Sequence, residues 1–459
     1  MTEIEISNKC YDILEQVEYD NSIESKQYVD YTPQSQNNLN VLGTPITIEI
    51  NASDNYILPS DSVLYIKGQL VKADGTAYNA NDPNNDDEVA LVNNAMMFLF
   101  SDIRYSIGNM TVEGINNPGQ ATTILSYLSQ PDDYNTSSGL NMCWYKDTTN
   151  NANSAKYATS VAAPPAGYTP RKNPIYNRGF AVRKGHIMDA NPKGSFSFTI
   201  PFKHMFGFGD YNKVMYNVKH VLTLTRMTTD NLAIHRAAGV ADGKVNLTNI
   251  TWKVPHVRPE TVKLMELRSI IESKQSIPVA FTARTCESTI VSQTRNFSWR
   301  INAMSGVEKP RWIIVGFQTE KNTTQEQNPA IFDHVNLTNT YVSINGEKYP
   351  LYDINFDFTT NDYSILYEMF DRFKQEFYGF NSLVGGTQVN VPAFKNLFPI
   401  IVFDVRHQSD KLKSGIADIS INFKFSAHVP ANTTAYAVTL SDRMYKLNSD
   451  GKNLVMSSK

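Results

Sequence analysis

Cysteine is scarce in this sequence, and long apolar runs are missing. The 459 residues include three cysteines, Cys10, Cys143 and Cys286, which are far apart and odd in number. This arrangement argues against a disulfide framework and favours synthesis in a reducing compartment, the cytosol or the nucleus. The N-terminus lacks the apolar core of a signal peptide, and no stretch approaches the roughly 20 apolar residues of a membrane-spanning helix. We therefore expect no transmembrane segment.

An excess of positive charge is also missing. Lysine and arginine total 42 against 45 acidic residues, a formal net charge of −3, and neither end carries a basic arm. Proteins that bind DNA or RNA as their main task need clustered cations for the phosphates. The composition argues against that class, and we expect no sequence-specific nucleic-acid binding.

Motifs for cofactor or metal chemistry are absent or incomplete. No glycine-rich loop followed by lysine occurs, and Gly385-Gly386 fits a simple turn in a polar loop. Asp82, Asn84 and Asp86 have the first spacings of a calcium loop, but the glycine and the final glutamate of that loop are missing. We predict that the chain binds no metal and no cofactor.

The eight histidines are scattered, and none pairs with another at the helical spacing of zinc ligands. His256, between two prolines, is interpreted as a corner residue bonded to backbone. His334 follows Asp333 and could form a polarised pair with it, but no nucleophile accompanies them at a suitable spacing. His407 is interpreted as part of a hydrogen-bonded turn or a subunit contact. We predict no catalytic residue.

Aromatic residues and alternating apolar patterns are abundant instead. The chain has 24 Tyr and 23 Phe, which are favoured in strands and in large interfaces. Strict alternation over residues 44–50 is typical of a half-buried strand, and similar segments recur along the chain, including residues 352–358. About eight strands per half, with large insertions, favour two jelly rolls over a propeller or a solenoid. The fold class predicted is all-β: two consecutive jelly-roll β-sandwich domains with a few short inserted helices.

Residues 244–275 divide the chain into these halves. Apolar and polar residues alternate from Val245 to Trp252 as in a strand. Pro255 and Pro259 are expected to end its pairing because proline has no N–H. An apolar stripe after Pro259 predicts a short amphipathic helix. The predicted organisation is an N-terminal arm (1–40), a first jelly roll (41–257), a linker helix (258–275), a second jelly roll (276–445) and a C-terminal tail (446–459).

Further short helices are predicted between the strands. Residues 89–100 and an i, i+3, i+4, i+7 repeat that starts at Ala121 predict two in the first half. The clearest helix is predicted over residues 361–377, with Asn361 as its N-cap and Glu376 on a polar face, where truncation to alanine should be nearly silent. Its apolar face is interpreted as a packing surface rather than a cofactor site and consists of Tyr363, Leu366, Tyr367, Phe370, Phe373 and Phe377.

Residues 131–178 form the longest stretch without a clear pattern. A loop of this length inside a compact domain is normally functional or disordered. Its tyrosine, tryptophan and proline content favours an ordered projection that packs on a neighbouring subunit. Cys143 lies in this loop with Lys146 as its only cationic neighbour, and we do not expect it to be a reactive thiol.

Several segments, read together, have a recognisable pattern. They are PFKHMFGFGDYNKVMYNVKHVLTLTR (201–226), NITWKVPHVRP (249–259), RWIIVGFQT and FDHVNLTNTYVSINGEKYPLYDINFDF (within 311–358), and VFDVRHQSDKL and AYAVTLSDR (within 402–443). They resemble the major capsid proteins of the adenovirus hexon-like double jelly-roll lineage, most closely those of Polintons and adintoviruses. The likeness extends in order over about residues 44–443, and none of its segments is a catalytic motif.

The resemblance implies a structural protein of the virion. Such a protein would form a homotrimer of pseudo-hexagonal outline that tiles an icosahedral shell around a double-stranded DNA genome. Its expected partners are neighbouring capsomers, a single jelly-roll penton protein and minor capsid proteins, with the N-terminal arm as an assembly element. Two alternatives stay open. One is a carbohydrate- or receptor-binding β-sandwich that uses Trp144, Tyr145 and Tyr168, and the other is a cupin-type enzyme, which would need a His/Glu metal cluster.

Overall fold

The chain folds into two jelly-roll β-sandwiches in succession, with short helices inserted, as the alternating patterns predict. The computed structural model describes residues 22–35, 39–53, 55–78, 88–157, 172–301, 309–379, 387–408, 418–449 and 454–458. In those residues, no helix is long and apolar enough to cross a membrane.

The first sandwich consists of two antiparallel sheets. One has the strand order β8-β4-β12-β3-β9 with β1 beside β12, and the other has the order β2-β10-β6-β7. Alternate side chains are buried along strands such as β8 and β10, so that these strands turn one face to the interior. The strands of these two sheets are β1 (Ile23–Tyr31), β2 (Pro45–Ile50), β3 (Tyr56–Ile57), β4 (Val63–Lys72), β6 (Phe100–Ile107), β7 (Met110–Asn116), β8 (Ser195–Pro201), β9 (Met215–Tyr216), β10 (His220–Arg226) and β12 (Gly243–Pro259). Two further strands, β5 (Val89–Leu91) and β11 (Ile234–Arg236), pair with each other as a separate two-stranded sheet.

The second sandwich repeats this plan. Its sheets have the orders β13-β20-β15-β18, with β21 beside β20, and β14-β19-β16-β17. The strands are β13 (Ile277–Ile290), β14 (Asn296–Ile301), β15 (Lys309–Thr319), β16 (Leu337–Ile344), β17 (Glu347–Tyr349), β18 (Ile401–Asp404), β19 (Ile419–Phe425), β20 (Thr433–Ser449) and β21 (Leu454–Ser458).

The helices are short and lie between strands. The helices predicted near Ala121, after Pro259 and near residue 370 are present as α2, α5 and α6. The set is α1 (Ala95–Phe98), α2 (Pro118–Ser129), α3 (Arg178–Met188), α4 (Phe202–Met205), α5 (Thr261–Glu272), α6 (Ser364–Tyr378) and α7 (Val391–Asn396).

Two of the predicted elements are wrong. Residues 89–100 are not one helix: they contain β5, the single turn α1 and the start of β6. This stretch is buried on all sides, and periodicity cannot separate helix from strand in such a stretch. Residues 352–358 are not a strand either, since they make only isolated bridges, from Asn355 to Asn339 and from Asp357 to Asp362.

The position of α6 also differs from the prediction. Asn361 has a left-handed backbone (φ 62°) and does not cap the helix, which begins at Ser364. The prediction that Glu376 lies on a polar face, where its truncation would have almost no effect, is wrong as well. Its carboxylate accepts a hydrogen bond from Arg406, whose guanidinium lies 4.6 Å from the centre of the Trp312 ring.

The proline-rich seam does not end β12, contrary to the prediction. The strand continues to Pro259 and pairs with β1, with Tyr31 opposite Trp252 and Ile23 opposite Pro259. Proline removes one donor but keeps its acceptor, and the Pro255 carbonyl accepts from the Leu58 N–H at 3.0 Å. A strand can therefore pass through prolines at its end.

The predicted arm and tail both contain strand residues. Residues 23–31 of the arm form β1, and residues 446–449 and 454–458 of the tail belong to β20 and β21. These parts of the arm and the tail each extend a sheet. The division into domains otherwise stays a prediction.

One apolar interior extends through both sandwiches, from Leu39 to Met456. The described part of the 131–178 stretch contributes to it, because Trp144 is fully buried and its ring centre lies 5.1 Å from that of Tyr127. Tyr127 in turn lies 4.1 Å from Phe398 of the second half. At Trp144 the stretch packs on its own chain, and the prediction of a projection toward a neighbour is wrong there.

Candidate functional site

The junction between the sandwiches holds a buried carboxylate, Glu113 on β7. Its Oε1 accepts from the N–H groups of Gly207 (3.0 Å) and Arg284 (2.8 Å), and its Oε2 accepts from the Phe208 N–H (2.9 Å). Burial raises the pKa of Glu113, while the charge of Arg284 and the three hydrogen bonds oppose that rise. One side chain thus joins β7, the turn after α4 and strand β13 of the second sandwich.

A β-bulge places Glu113 in this position. The pairing of β6 with β7 shifts register between Tyr105 and Ser106, opposite Val112. Because of this shift both Val112 and Glu113 are buried, although neighbouring strand residues normally face opposite ways. Sequence reasoning missed Glu113 for this reason, since simple alternation assigns one of the two residues to solvent.

Gly207 allows the two sandwiches to approach closely at the same point. A Cβ atom on Gly207 would lie 1.9 Å from the Thr282 carbonyl oxygen on β13. Real atoms do not come so close, so any other residue would push the strands apart. The glycine is a requirement of the junction.

A buried ion pair forms a second anchor. Arg183 on α3 and Asp147 lie 2.7 Å apart and are 1% and 0% exposed. Arg183 also donates from Nε to the Leu91 carbonyl (2.9 Å), and Asp147 accepts from the amides of Asn177 (2.9 Å) and Asn328 (3.0 Å). Asn328 belongs to the second half, so the pair connects both sandwiches. No motif in the sequence marks either charge.

Side-chain bonds to backbone complete the contact. The Tyr127 hydroxyl donates to the Ala330 carbonyl (3.2 Å), and the Val112 carbonyl accepts from Arg443 (2.6 Å) and Tyr445 (3.1 Å). Together with the shared apolar interior, these bonds hold the two sandwiches together as one block.

A cavity of about 260 Å³ lies within this junction, between α2, α4, β13 and α6. His204 lines it, with its Nε2 3.0 Å from the Asn94 Oδ1. Burial, and then the charge of Arg284, lower the pKa of His204 to about 3. The imidazole is therefore neutral near pH 7 and serves as a hydrogen-bond donor to Asn94.

The structure gives His256 and His334 structural partners. His256 lies inside β12, with its Nε2 2.8 Å from the Tyr31 hydroxyl, so its prediction as a corner bonded to backbone is wrong. His334 accepts from the Asn336 N–H at 3.0 Å and stacks on Phe358 at 4.7 Å. The Asp333 carboxylate accepts instead from the Thr319 N–H (2.9 Å), so the ring and the carboxylate have separate partners.

His407 is exposed in a bend of the chain, and its role in a turn or in a subunit contact stays a prediction. The neighbouring Gln408 donates to the carbonyls of Val405 (2.7 Å) and Pro310 (2.6 Å). Burial raises the pKa of the Cys143 thiol to about 12, which keeps it protonated. Lys146, its cationic neighbour in sequence, is bonded to Asp132 and Gln388 instead.

Some predicted features fall outside the described residues, namely Asp82, Asn84 and Asp86, Gly385-Gly386 and Tyr168. Within the described ranges, no three His, Cys, Asp or Glu side chains come together as a metal site. Trp144 and Tyr145 are buried, so neither offers the exposed ring that the carbohydrate-binding alternative requires.

Comparison with known proteins agrees with this architecture. The family model of the double jelly roll-like domain matches residues 174–445. A chain in the structure of the Sputnik virophage aligns with a TM-score of 0.57 and 11% identity, over 96% of this chain and 90% of that one. The mavirus major capsid protein aligns with a TM-score of 0.51 and 12% identity, over 98% and 93%. The Faustovirus major capsid protein aligns with a TM-score of 0.51 and 8% identity, over 96% of this chain and 93% of that one.

No curated protein matches the chain. At these low identities the structural likeness shows the fold, and it covers nearly the whole length of both partners in each comparison.

Proposed function

Because this chain belongs to the double jelly roll-like family, we propose that it is a major capsid protein. The observation that carries the proposal is the single block formed by the two sandwiches, with one apolar interior and buried polar anchors between them. A shell subunit must keep a fixed shape when it contacts its neighbours, and a block with one shared interior is suited to this. The mavirus and Faustovirus proteins that share the fold over nearly their whole length are named as major capsid proteins.

The capsomer that we propose is a homotrimer. Three copies of two similar sandwiches give six wall-like faces, a pseudo-hexagonal outline that can tile an icosahedral shell around a double-stranded DNA genome. The formal net charge of −3 lets copies approach without strong repulsion. Interfaces of permanent assemblies bury on the order of 2,000 Å² or more.

One subunit contact is proposed on the second sandwich. Leu351 and Tyr352 are 85% and 60% exposed. Tyr352 lines a groove of about 230 Å³ between α6 and β18, beside Trp312 and Met369. Exposed apolar side chains next to a groove are typical of interaction surfaces.

Sedimentation velocity of the full chain tests the trimer. We expect a species of about three times the 51.7 kDa chain mass at micromolar concentration. The double variant Leu351→Asp/Tyr352→Asp should dissociate, because two carboxylates would be buried in the interface. Val262→Asp, a matched change at a 63% exposed position on α5, should keep the trimer. A well-folded monomer for the wild-type protein would contradict the proposal.

The remaining parts of the proposal concern the particle. The chain's partners would be neighbouring capsomers, a penton protein and minor capsid proteins. Its final location would be the virion. It would be synthesised in the host cytosol, and the nucleus is a candidate compartment for assembly. The segment before β1 would act as an assembly element. When the chain is expressed with a penton protein, negative-stain imaging should show closed shells. The absence of shells with every jelly-roll partner tested would contradict the capsid proposal.

A further inference from the structure

A groove separates α5 from the sheet face where β1, β12 and β3 meet. Its volume is about 490 Å³, and the junction and the proposed trimer contact do not use it. Both polar and apolar residues line it. The residues that matter below are Gln27, Val29, Tyr56, Arg258, Leu264 and Arg268.

The charge of the groove is positive. Arg258 lies on its rim and pairs with Glu24 at 2.9 Å, with both side chains more than half exposed. Arg268 is exposed and makes no ion pair with any residue that the structure describes. The lining residues include both arginines and His256 but no carboxylate. Such a groove attracts an anion, and guanidinium groups favour carboxylates because their donors match the two oxygens.

Tyr56 supplies an unpaired polar group to the same groove. Its residue is 4% exposed, and its hydroxyl has no hydrogen-bond partner among the described residues. Burial raises the pKa of this phenol, the neighbouring Tyr216 adds to the rise, and the charge of Arg268 opposes it. Buried hydroxyl groups are normally bonded, and a ligand oxygen near Arg268 would supply the missing acceptor.

The chain itself offers a complementary segment at this point. The Glu260 N–H donates to the Ser22 carbonyl at 3.0 Å, and Glu260 caps α5, so Ser22, the residue that follows residues 1–21 in sequence, lies beside one wall of the groove. Their single cation is Lys9, and Ile4, Ile6, Ile13 and Leu14 are apolar. Their acidic residues are Glu3, Glu5, Asp12, Glu15, Glu18 and Asp20.

We propose that residues 1–21 bind in the groove of their own chain, with carboxylates on Arg258 and Arg268. Twenty-one residues can extend roughly 70 Å, whereas α5 is about 18 Å long, so the segment reaches every part of the groove. Because it is tethered beside the groove, its effective concentration there is in the millimolar range for a short flexible link. The proposal does not depend on the capsid function.

Photo-crosslinking of the full chain tests this proposal. Cys143 and Cys286 are buried, so a benzophenone maleimide should label Cys10 selectively. After irradiation, mass spectrometry should find crosslinks to α5 and to the adjoining ends of β1 and β12. Mixing labelled protein with an unlabelled ¹⁵N copy separates crosslinks within a chain from those between chains.

Matched variants on α5 provide the decisive result. Arg268→Glu reverses the groove charge and should lower the groove crosslink by about tenfold. Lys263→Glu makes the same charge change on the same helix, away from the lining residues, and should leave the crosslink unchanged. Higher salt should weaken the crosslink in the wild-type protein. Crosslinks elsewhere, crosslinks that run between chains, or equal effects of the two variants would overturn the proposal. Sedimentation of the same samples reports the trimer separately.

Discussion

The two sandwiches share a topology but bury different chemistry. The first buries the carboxylates of Glu113, Asp147 and Asp230, together with Arg183 and Arg226. In the second, the described residues bury no carboxylate, and their buried charges are Lys321 and Lys374. Aromatic contacts occur in both halves, since Tyr105 contacts Phe202 and Trp252 in the first. In the second they join α6, α7 and β15, with Phe370 against Phe394 and Phe373 against Trp312.

This difference predicts different weaknesses. A buried charge is tolerated only while its partners are in place, so the first sandwich should respond strongly to the loss of one charge and to pH. Aromatic packing depends on volume and shape, so the second should respond to truncation and hardly to pH. Since the two share one interior, damage to either should unfold the whole block.

The largest expected effect comes from breaking the buried pair. Asp147→Ala leaves Arg183 buried without a counter-charge and removes an acceptor from Asn177 and Asn328. Removal of one partner of a buried pair costs about 3–5 kcal/mol, and the extra lost bonds place this variant at the upper end. Urea denaturation of the purified protein measures the free energy of unfolding. Asp418→Ala is the control, since its pair with Arg300 is more than half exposed and should contribute less than about 1 kcal/mol.

The second sandwich should be destabilised most by truncation of a large buried side chain. Phe370 on α6 is fully buried against Phe394. We expect Phe370→Ala to cost about 3–5 kcal/mol and to give aggregated or poorly trimerised protein. Glu368→Ala on the exposed side of the same helix, where Glu368 pairs with Arg372, should change stability by less than about 0.5 kcal/mol. A Phe370→Ala trimer of normal stability that had lost a ligand would mark this face as a binding surface.

The junction should be sensitive to a single methyl group. Gly207→Ala places a Cβ against the Thr282 carbonyl and should cost about 1–3 kcal/mol, because backbone on both sides must move. Gly114→Ala on β7 is the matched control, since its nearest neighbour would be a carbon of Arg104 at 3.6 Å, an ordinary contact. Equal unfolding free energies for the two variants would show that the sandwiches are less tightly joined than the structure indicates.

The effect that is smallest near pH 7 is a change in pH dependence. Burial lowers the pKa of His220 from 6.5 to about 3, so the folded protein excludes a proton that the unfolded chain binds below about pH 6.5. The stability due to the neutral ring is thus complete above that pH and is lost as the pH falls. His220→Gln should reduce the slope of unfolding free energy by about 1.4 kcal/mol per pH unit between about pH 6 and pH 4.

Two controls isolate this slope. His428→Gln changes an exposed ring and should leave it unaltered. The raised pKa of Glu113 acts in the opposite direction, favouring the folded state as the pH falls through it, but that contribution is common to both variants. If His220→Gln left the slope unchanged, the ring would have the same pKa in the folded protein as in the unfolded chain.

The parts of the fold that follow from periodicity were predictable. Alternation identified strands such as β2 and β10, and the apolar stripes identified α5 and α6. The features that join the sandwiches could not be predicted, because each depends on contacts between segments that are distant in sequence. A bulge turns Glu113 inward, Asp147 and Arg183 meet across the chain, and Gly207 is needed because of Thr282. The continuation of β12 through its prolines likewise depends on β1, more than 200 residues away in sequence.

We propose that this block is the repeating unit of a capsid, and imaging tests that proposal most directly. Negative-stain electron microscopy of the purified full chain should show single particles with three-fold symmetry and a hexagonal outline. Three copies of a two-sandwich block produce that shape. Uniform particles the size of one chain, with no three-fold class at any concentration tested, would contradict the account.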